Sequence, residues 1–81
     1  MLLKYLEAAM QKAHYEILED DESIYGEIPG IQGVYANAKA LEECRTTLME
    51  ILEEWVLVRV SQGLNIPIIN GIEVKVKKVA A

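Results

Sequence analysis

The chain has 81 residues, 52% of them hydrophobic, and a formal net charge of -5. A chain of this length supports one core that buries about 60 to 65% of the unfolded surface, with a total stability of roughly 4 to 12 kcal/mol, so part of the apolar content is expected at a subunit interface. The charge balance opposes nucleic-acid binding, which needs clustered Lys and Arg against phosphate, and no segment approaches the ~20 apolar residues of a membrane span.

The elements follow in order. Over residues 2–13, Leu2, Leu3, Leu6, Ala9, Met10 and Ala13 recur at three- and four-residue spacing between Lys4, Glu7, Gln11 and Lys12, the pattern of a short amphipathic helix. The charges inside this segment rule out the uninterrupted apolar run of a signal peptide, and with a single cysteine, Cys44, no internal disulfide is expected, which together point to a soluble cytoplasmic protein. A hairpin over about 14–28 follows, with "HYEILED" and "SIYGEIP" flanking the acidic turn Asp20-Asp21-Glu22. Gly26 inside its second strand marks a bulge or a close backbone approach. Ile28-Pro29-Gly30-Ile31 then carries Pro and Gly at the two central positions of a type II turn, and a third strand over about 33–38 alternates Val34, Ala36 and Ala38 against Tyr35 and Asn37.

Residues 40–62 form the central helix, with an apolar stripe of Leu41, Cys44, Leu48, Ile51, Leu52, Trp55 and Val58 opposite Glu42, Glu43, Arg45, Glu50, Glu53 and Glu54. Gly63 caps its end and Arg59 complements its dipole. Val56, Leu57 and Val60 add apolar residues away from the main stripe, so this end of the helix is expected to meet another subunit. Asn70-Gly71 is a strong hairpin signal, and Ile72, Val74 and Val76 alternating with Glu73, Lys75 and Lys77 predict a last strand over about 72–78. The expected architecture is a single α+β domain ordered α-β-β-β-α-β, a small antiparallel sheet of three to four strands packed with one long helix and accompanied by an N-terminal helix.

The succession "YGEIPGIQGVYA", "ALEECRTTLMEILEEW" and "GLNIPII" resembles the HicB family of bacterial antitoxins. The matching positions are Pro29, Gly30, Gly33, Ala36, Glu42, Glu43 and Cys44, then Trp55, Gly63, Ile66, Pro67 and Ile68. The resemblance implies a partial ribonuclease-H-like fold that binds and occludes a small basic messenger-RNA-cleaving toxin of the HicA type. It also implies an architectural role for the Pro-Gly corner, which sets the register between the second and third strands. Where many relatives have Gly-Asp-Thr before the helix, this chain has Asn37-Ala38-Lys39-Ala40, so the Thr cap is missing. Larger members carry a C-terminal operator-binding domain, for which 81 residues leave no room, and direct nucleic-acid binding is not expected.

The charge is uneven: Glu16, Glu19, Asp20, Asp21, Glu22 and Glu27 crowd a stretch with no Lys or Arg between Lys12 and Lys39, while Lys75, Lys77 and Lys78 sit in the tail. Asp20, Asp21, Tyr25, Glu27 and Tyr35 are the candidates for a mixed acidic and aromatic surface that clamps a basic protein partner. Val56, Leu57 and Val60 are the candidates for a homo-oligomer interface. A two-metal nuclease needs carboxylates that hold Mg²⁺ ions about 3.5 to 4 Å apart, whereas the carboxylates here crowd a turn or the polar side of a helix. The chain is expected to be no enzyme and to use no cofactor or metal. His14 is expected to be an ordinary strand residue, Cys44 a buried inert thiol, and Trp55 a core anchor beneath the sheet. The alternative to an antitoxin is an orphan homo-oligomeric regulatory domain with no toxin, and a remote alternative is a metal-dependent ribonuclease-H-like nuclease.

Overall fold

Among the described residues five elements succeed one another: α1 (Leu2–Gln11), β1 (His14–Ile17), β2 (Ile24–Glu27), β3 (Tyr35–Ala38) and α2 (Leu41–Ser61). The structure, a computed structural model, describes residues 2–74. The strands form one antiparallel sheet in the order β1-β2-β3, and the fold is α+β as expected from the pattern.

Local chemistry sets each reversal. Leu18 and Ser23 close the acidic hairpin loop, with the Leu18 N–H donating to the Ser23 carbonyl at 2.8 Å. The Ser23 N–H donates to Asp21 Oδ1 at 3.0 Å. Asn37 Nδ2 donates to Ser23 Oγ at 2.8 Å and to the Ile24 carbonyl at 3.1 Å, tying the base of the loop to β3. After β2, the Ile31 N–H donates to the Ile28 carbonyl at 3.1 Å, and Gly30 has φ +89°. That is the type II turn the sequence predicts, and its third position demands the positive φ that glycine adopts without a Cβ clash.

Register explains Gly26. It pairs with Tyr15 on one side and Ala36 on the other, in unbroken ladders without a bulge. A Cβ built on Gly26 would lie 2.8 Å from Tyr15 Cδ1 and 3.1 Å from Cys44 Sγ. The glycine is therefore a place where the Tyr15 ring and α2 approach the backbone of β2 closely. The same contact shows that Tyr15, Gly26 and Ala36 face α2, which leaves His14, Glu16, Tyr25, Glu27, Tyr35 and Asn37 on the opposite face, because successive strand residues alternate.

Four-residue strands span about 13 Å, whereas the 21 residues of α2 span about 31 Å, so the helix overhangs its sheet. Its buried line is Cys44, Leu48, Leu52 and Val56, at steps of four. Tyr5, Leu6, Ala8 and Ala9 of α1 and Ile66 and Ile69 of the segment after α2 are buried in the same core. The Tyr5 hydroxyl donates to the Pro67 carbonyl at 2.6 Å, fastening that segment to α1. The end of α2 closes as a Schellman motif: the Leu64 N–H donates to the Arg59 carbonyl at 2.9 Å and the Gly63 N–H to the Val60 carbonyl at 3.1 Å. At the other end Ala40 supplies no side-chain cap, in keeping with the missing Thr.

Several expectations need correction. Helix α1 stops at Gln11, and its buried set includes Tyr5 and Ala8 while Leu3 is exposed. In α2, Leu41 and Val58 are exposed, and Val56, expected off the stripe, is fully buried. Trp55 is half-buried against the edge of the core rather than seated beneath the sheet. Asn70 and Gly71 have φ +50° and +75°, and the Ile69 and Ile72 N–H groups each donate to the other residue's carbonyl, the mirror-type turn that Asn-Gly favours. The predicted strand over 72–78 is met at its first residue by this single bridge, and its residues from 75 onward lie outside the described residues.

Candidate interaction surface

One face of the sheet is covered by α2, and the described residues leave the other open. Across the open face run two rows fixed by the register, His14-Glu27-Tyr35 and Glu16-Tyr25-Asn37. The rings of Tyr25 and Tyr35 stack with centroids 6.1 Å apart and planes at 29°, within the range of favourable aromatic pairs. Tyr35 is 58% exposed. Partial burial and the neighbouring Glu27, Tyr35 and Glu16 all push the Tyr25 hydroxyl above its ordinary pKa of 10.0. A shallow cleft of about 250 Å³ runs from Tyr25, Glu27 and Tyr35 along the Pro-Gly loop.

The structure brings Tyr25, Glu27 and Tyr35 together, as the alternation predicts, and adds Glu16, to which the sequence pattern assigns no role beyond the acidic run. Asp20 and Asp21 are exposed in the hairpin loop beyond Ile17 and Ile24, at the other end of the β1-β2 ladder from Glu27. The acidic surface therefore extends along the ladder instead of forming one cluster. Asp21 already spends an oxygen on Ser23, whose hydroxyl and N–H hold its carboxyl below the ordinary value of 3.8, and this bond stiffens the loop that displays it. His14 is exposed at the edge of the same face.

The interface candidates divide. Leu57 is 58% exposed and Val60 is 38% exposed, but Val56 is 0% exposed because the steps of four from Cys44 carry the buried line onto it. Val56 belongs to the core of its own subunit and not to a surface shared with Leu57 and Val60. Cys44 is fully buried, its Sγ donates to the Ala36 carbonyl at 3.6 Å, and burial raises its thiol above the ordinary 9.0. A group held neutral in this way is a packing residue. Among the described residues no three His, Cys, Asp or Glu side chains gather as metal ligands, and no helix is long and apolar enough to cross a membrane. One pairing escapes a reading of the sequence alone: the Arg59 guanidinium lies 4.9 Å from the centre of the Trp55 ring. Their spacing of four on α2 is the available signal.

Fold and surface together define a small α+β domain with one sheet face packed under a long helix and the other displayed as an aromatic and acidic plate. The family model described as UPF0150-like matches residues 4–67, and the chain belongs to that family. It is similar over its whole fold to the crystal structure of TTHA0281 from Thermus thermophilus, at 40% identity and a TM-score of 0.88 across 95% of each chain. No curated protein matches it.

Proposed function

We propose that the chain is a HicB-like antitoxin-type protein of the cytoplasm that acts by binding, with no catalytic step of its own, and neutralises a small basic messenger-RNA-cleaving toxin of the HicA type. The observation that carries the reading is the open sheet face, where two stacked tyrosines lie among the carboxylates of Glu16 and Glu27 and the rigid acidic loop continues the same charge. Aromatic rings supply contact area at small entropic cost, and surrounding carboxylates steer a basic partner onto them. The HicB-type motif order and the UPF0150-like family match are consistent with this reading.

The test is a pull-down of the tagged chain from its source cells at moderate salt, with Glu27→Lys, Tyr35→Ala and Asp20→Lys as variants, Asp21 being left in place because it accepts the Ser23 N–H. A stoichiometric small basic protein that cleaves RNA alone and is silenced by the chain is the expected result, and each variant should weaken its capture while the thermal midpoint is kept. Recovery of the chain alone would overturn the reading. It would favour the second one, a homo-oligomeric domain with no toxin, for which the exposed Leu57, Val60, Leu64 and Ile68 are the supporting observation.

A further inference from the structure

The two arginines of this chain sit in different surroundings. Arg45 shares a cleft with Glu7, Glu42, Glu50 and Glu53. Arg59 stands between two clefts: one shared with Glu54, Val58 and Gln62, and one of about 710 Å³ in whose walls the described residues place no carboxylate, although the chain has 13 acidic residues. The polar side chains in the second are Gln32, Asn65 and Arg59 itself, and the facing wall is the Pro-Gly turn at Gly30.

The Arg59 guanidinium is held from two sides. It lies over the Trp55 ring, 4.9 Å from the centroid, and its Nε–H donates to the Asn65 carbonyl at 2.8 Å. That acceptor is itself fixed, because the preceding residue, Leu64, is bonded to the Arg59 carbonyl in the helix-ending motif. Among the described residues the Asn65 carbonyl is the one acceptor the guanidinium has. Its two terminal nitrogens remain, and with them four N–H donors in a fixed planar fork. Such a fork matches the two oxygens of a carboxylate, and stacking and the Nε bond lower the entropy that would be lost in holding it there.

We propose that this cleft is a carboxylate-binding site in which Arg59, fixed by Trp55 and Asn65, is the receptor. The carboxylate is either a small free acid or the C-terminal group of a polypeptide, and the two sources share the fork. The site is independent of the antitoxin reading, since it lies on the edge of α2 and is tested with small ligands.

The experiment is a titration of the full-length chain followed by the ¹⁵N–¹H resonances of the Arg59 and Arg45 side chains and the Trp55 indole, with sodium acetate against sodium chloride at equal ionic strength. Acetate should move the Arg59 and Trp55 signals saturably, with a half-saturation on the order of 10 mM, and leave Arg45 unmoved among its own carboxylates. Arg59→Lys keeps the charge but removes the fork, and should weaken binding at least about fivefold while the chain stays folded by circular dichroism. N-acetyl-trialanine as the free acid and as the amide separates the sources. Binding of the acid more than about threefold tighter than acetate, with the amide silent, assigns a polypeptide terminus; equal binding of acid and acetate assigns a small free acid. Equal responses of Arg45 and Arg59, the same shifts from chloride, the absence of any shift, or undiminished binding by Arg59→Lys would each overturn the proposal.

Discussion

Gly26→Ala tests the packing of the sheet on α2. The added methyl would lie 2.8 and 2.9 Å from two carbons of the Tyr15 ring and 3.1 Å from Cys44 Sγ. Tyr15 belongs to an edge strand and is half-buried, so its ring has room to swing outward. Cys44 is fully buried on the central helix and has little. Overpacking of this kind costs about 1 to 3 kcal/mol, and the reduced freedom of the unfolded chain returns about 0.4 to 1 kcal/mol. The difference spans about 0 to 2.6 kcal/mol, and the fully buried Cys44, which cannot give way, places the net loss in the upper half of that range. For a domain of this length that lowers the thermal midpoint by roughly 5 to 15 °C, measurable by circular dichroism on the full chain. Tyr15→Ala made together with Gly26→Ala should show a coupling of about 0.5 kcal/mol or more, because the double variant no longer holds the ring against the methyl. An unchanged or raised midpoint in Gly26→Ala would refute the close approach, and additive costs would refute the assignment of the clash to Tyr15.

Four further outcomes are expected. Leu52→Ala, at a fully buried position, should cost about 2 to 5 kcal/mol, a large share of a small domain's stability, and leave a chain that unfolds at markedly lower urea concentration. Tyr5→Phe leaves the Pro67 carbonyl without its donor and should cost about 0.5 to 1.5 kcal/mol at pH 7 by urea titration. Burial raises the pKa of Tyr5 and Tyr15, and burial followed by carboxylate neighbours raises that of Tyr25, each above 10.0; above pH 10 the unfolded chain therefore loses protons first, so stability present below pH 10 falls as pH rises through the folded-state values, and Tyr5→Phe should flatten that decline. Cys44, buried and held as the thiol, should react with a thiol reagent at pH 8 at least about a hundredfold more slowly in the folded chain than in urea, and equal rates would refute its burial.

The type II turn, the outward alternation of Tyr35 and Asn37, the glycine-capped end of α2 and the Asn-Gly turn are legible in the sequence because each depends on a few adjacent residues and a local backbone rule. The errors lie where burial depends on what covers a surface. On α2, apolar residues at three- and four-residue spacing form a broad stripe in which Leu41 and Val58 rank with Leu48. The overhanging helix is covered along the narrower row Cys44-Leu48-Leu52-Val56, and each step of four turns that row by about 40°, which carries it off Val58 and onto Val56. Tyr5 escapes the pattern for a related reason. Its ring is apolar but its hydroxyl needs an acceptor, and the acceptor is a carbonyl 62 residues away that no periodicity reveals.

The Pro-Gly loop has a role beyond setting register. Gly30, Ile31 and Gln32 line the shallow cleft shared with Tyr25, Glu27 and Tyr35, and the same three residues wall the cleft of Arg59 and Trp55. The open sheet face and the edge of α2 are thus two sides of one loop. The turn bond from Ile31 to Ile28 and the burial of both isoleucines fix its position. A partner on the acidic plate would therefore approach the Arg59 cleft without moving the core. Charge reversal at Glu27 and fork removal at Arg59 perturb opposite sides of the loop, so loss of binding in one variant alone assigns a ligand to its side, whereas loss in both assigns a partner that spans the corner.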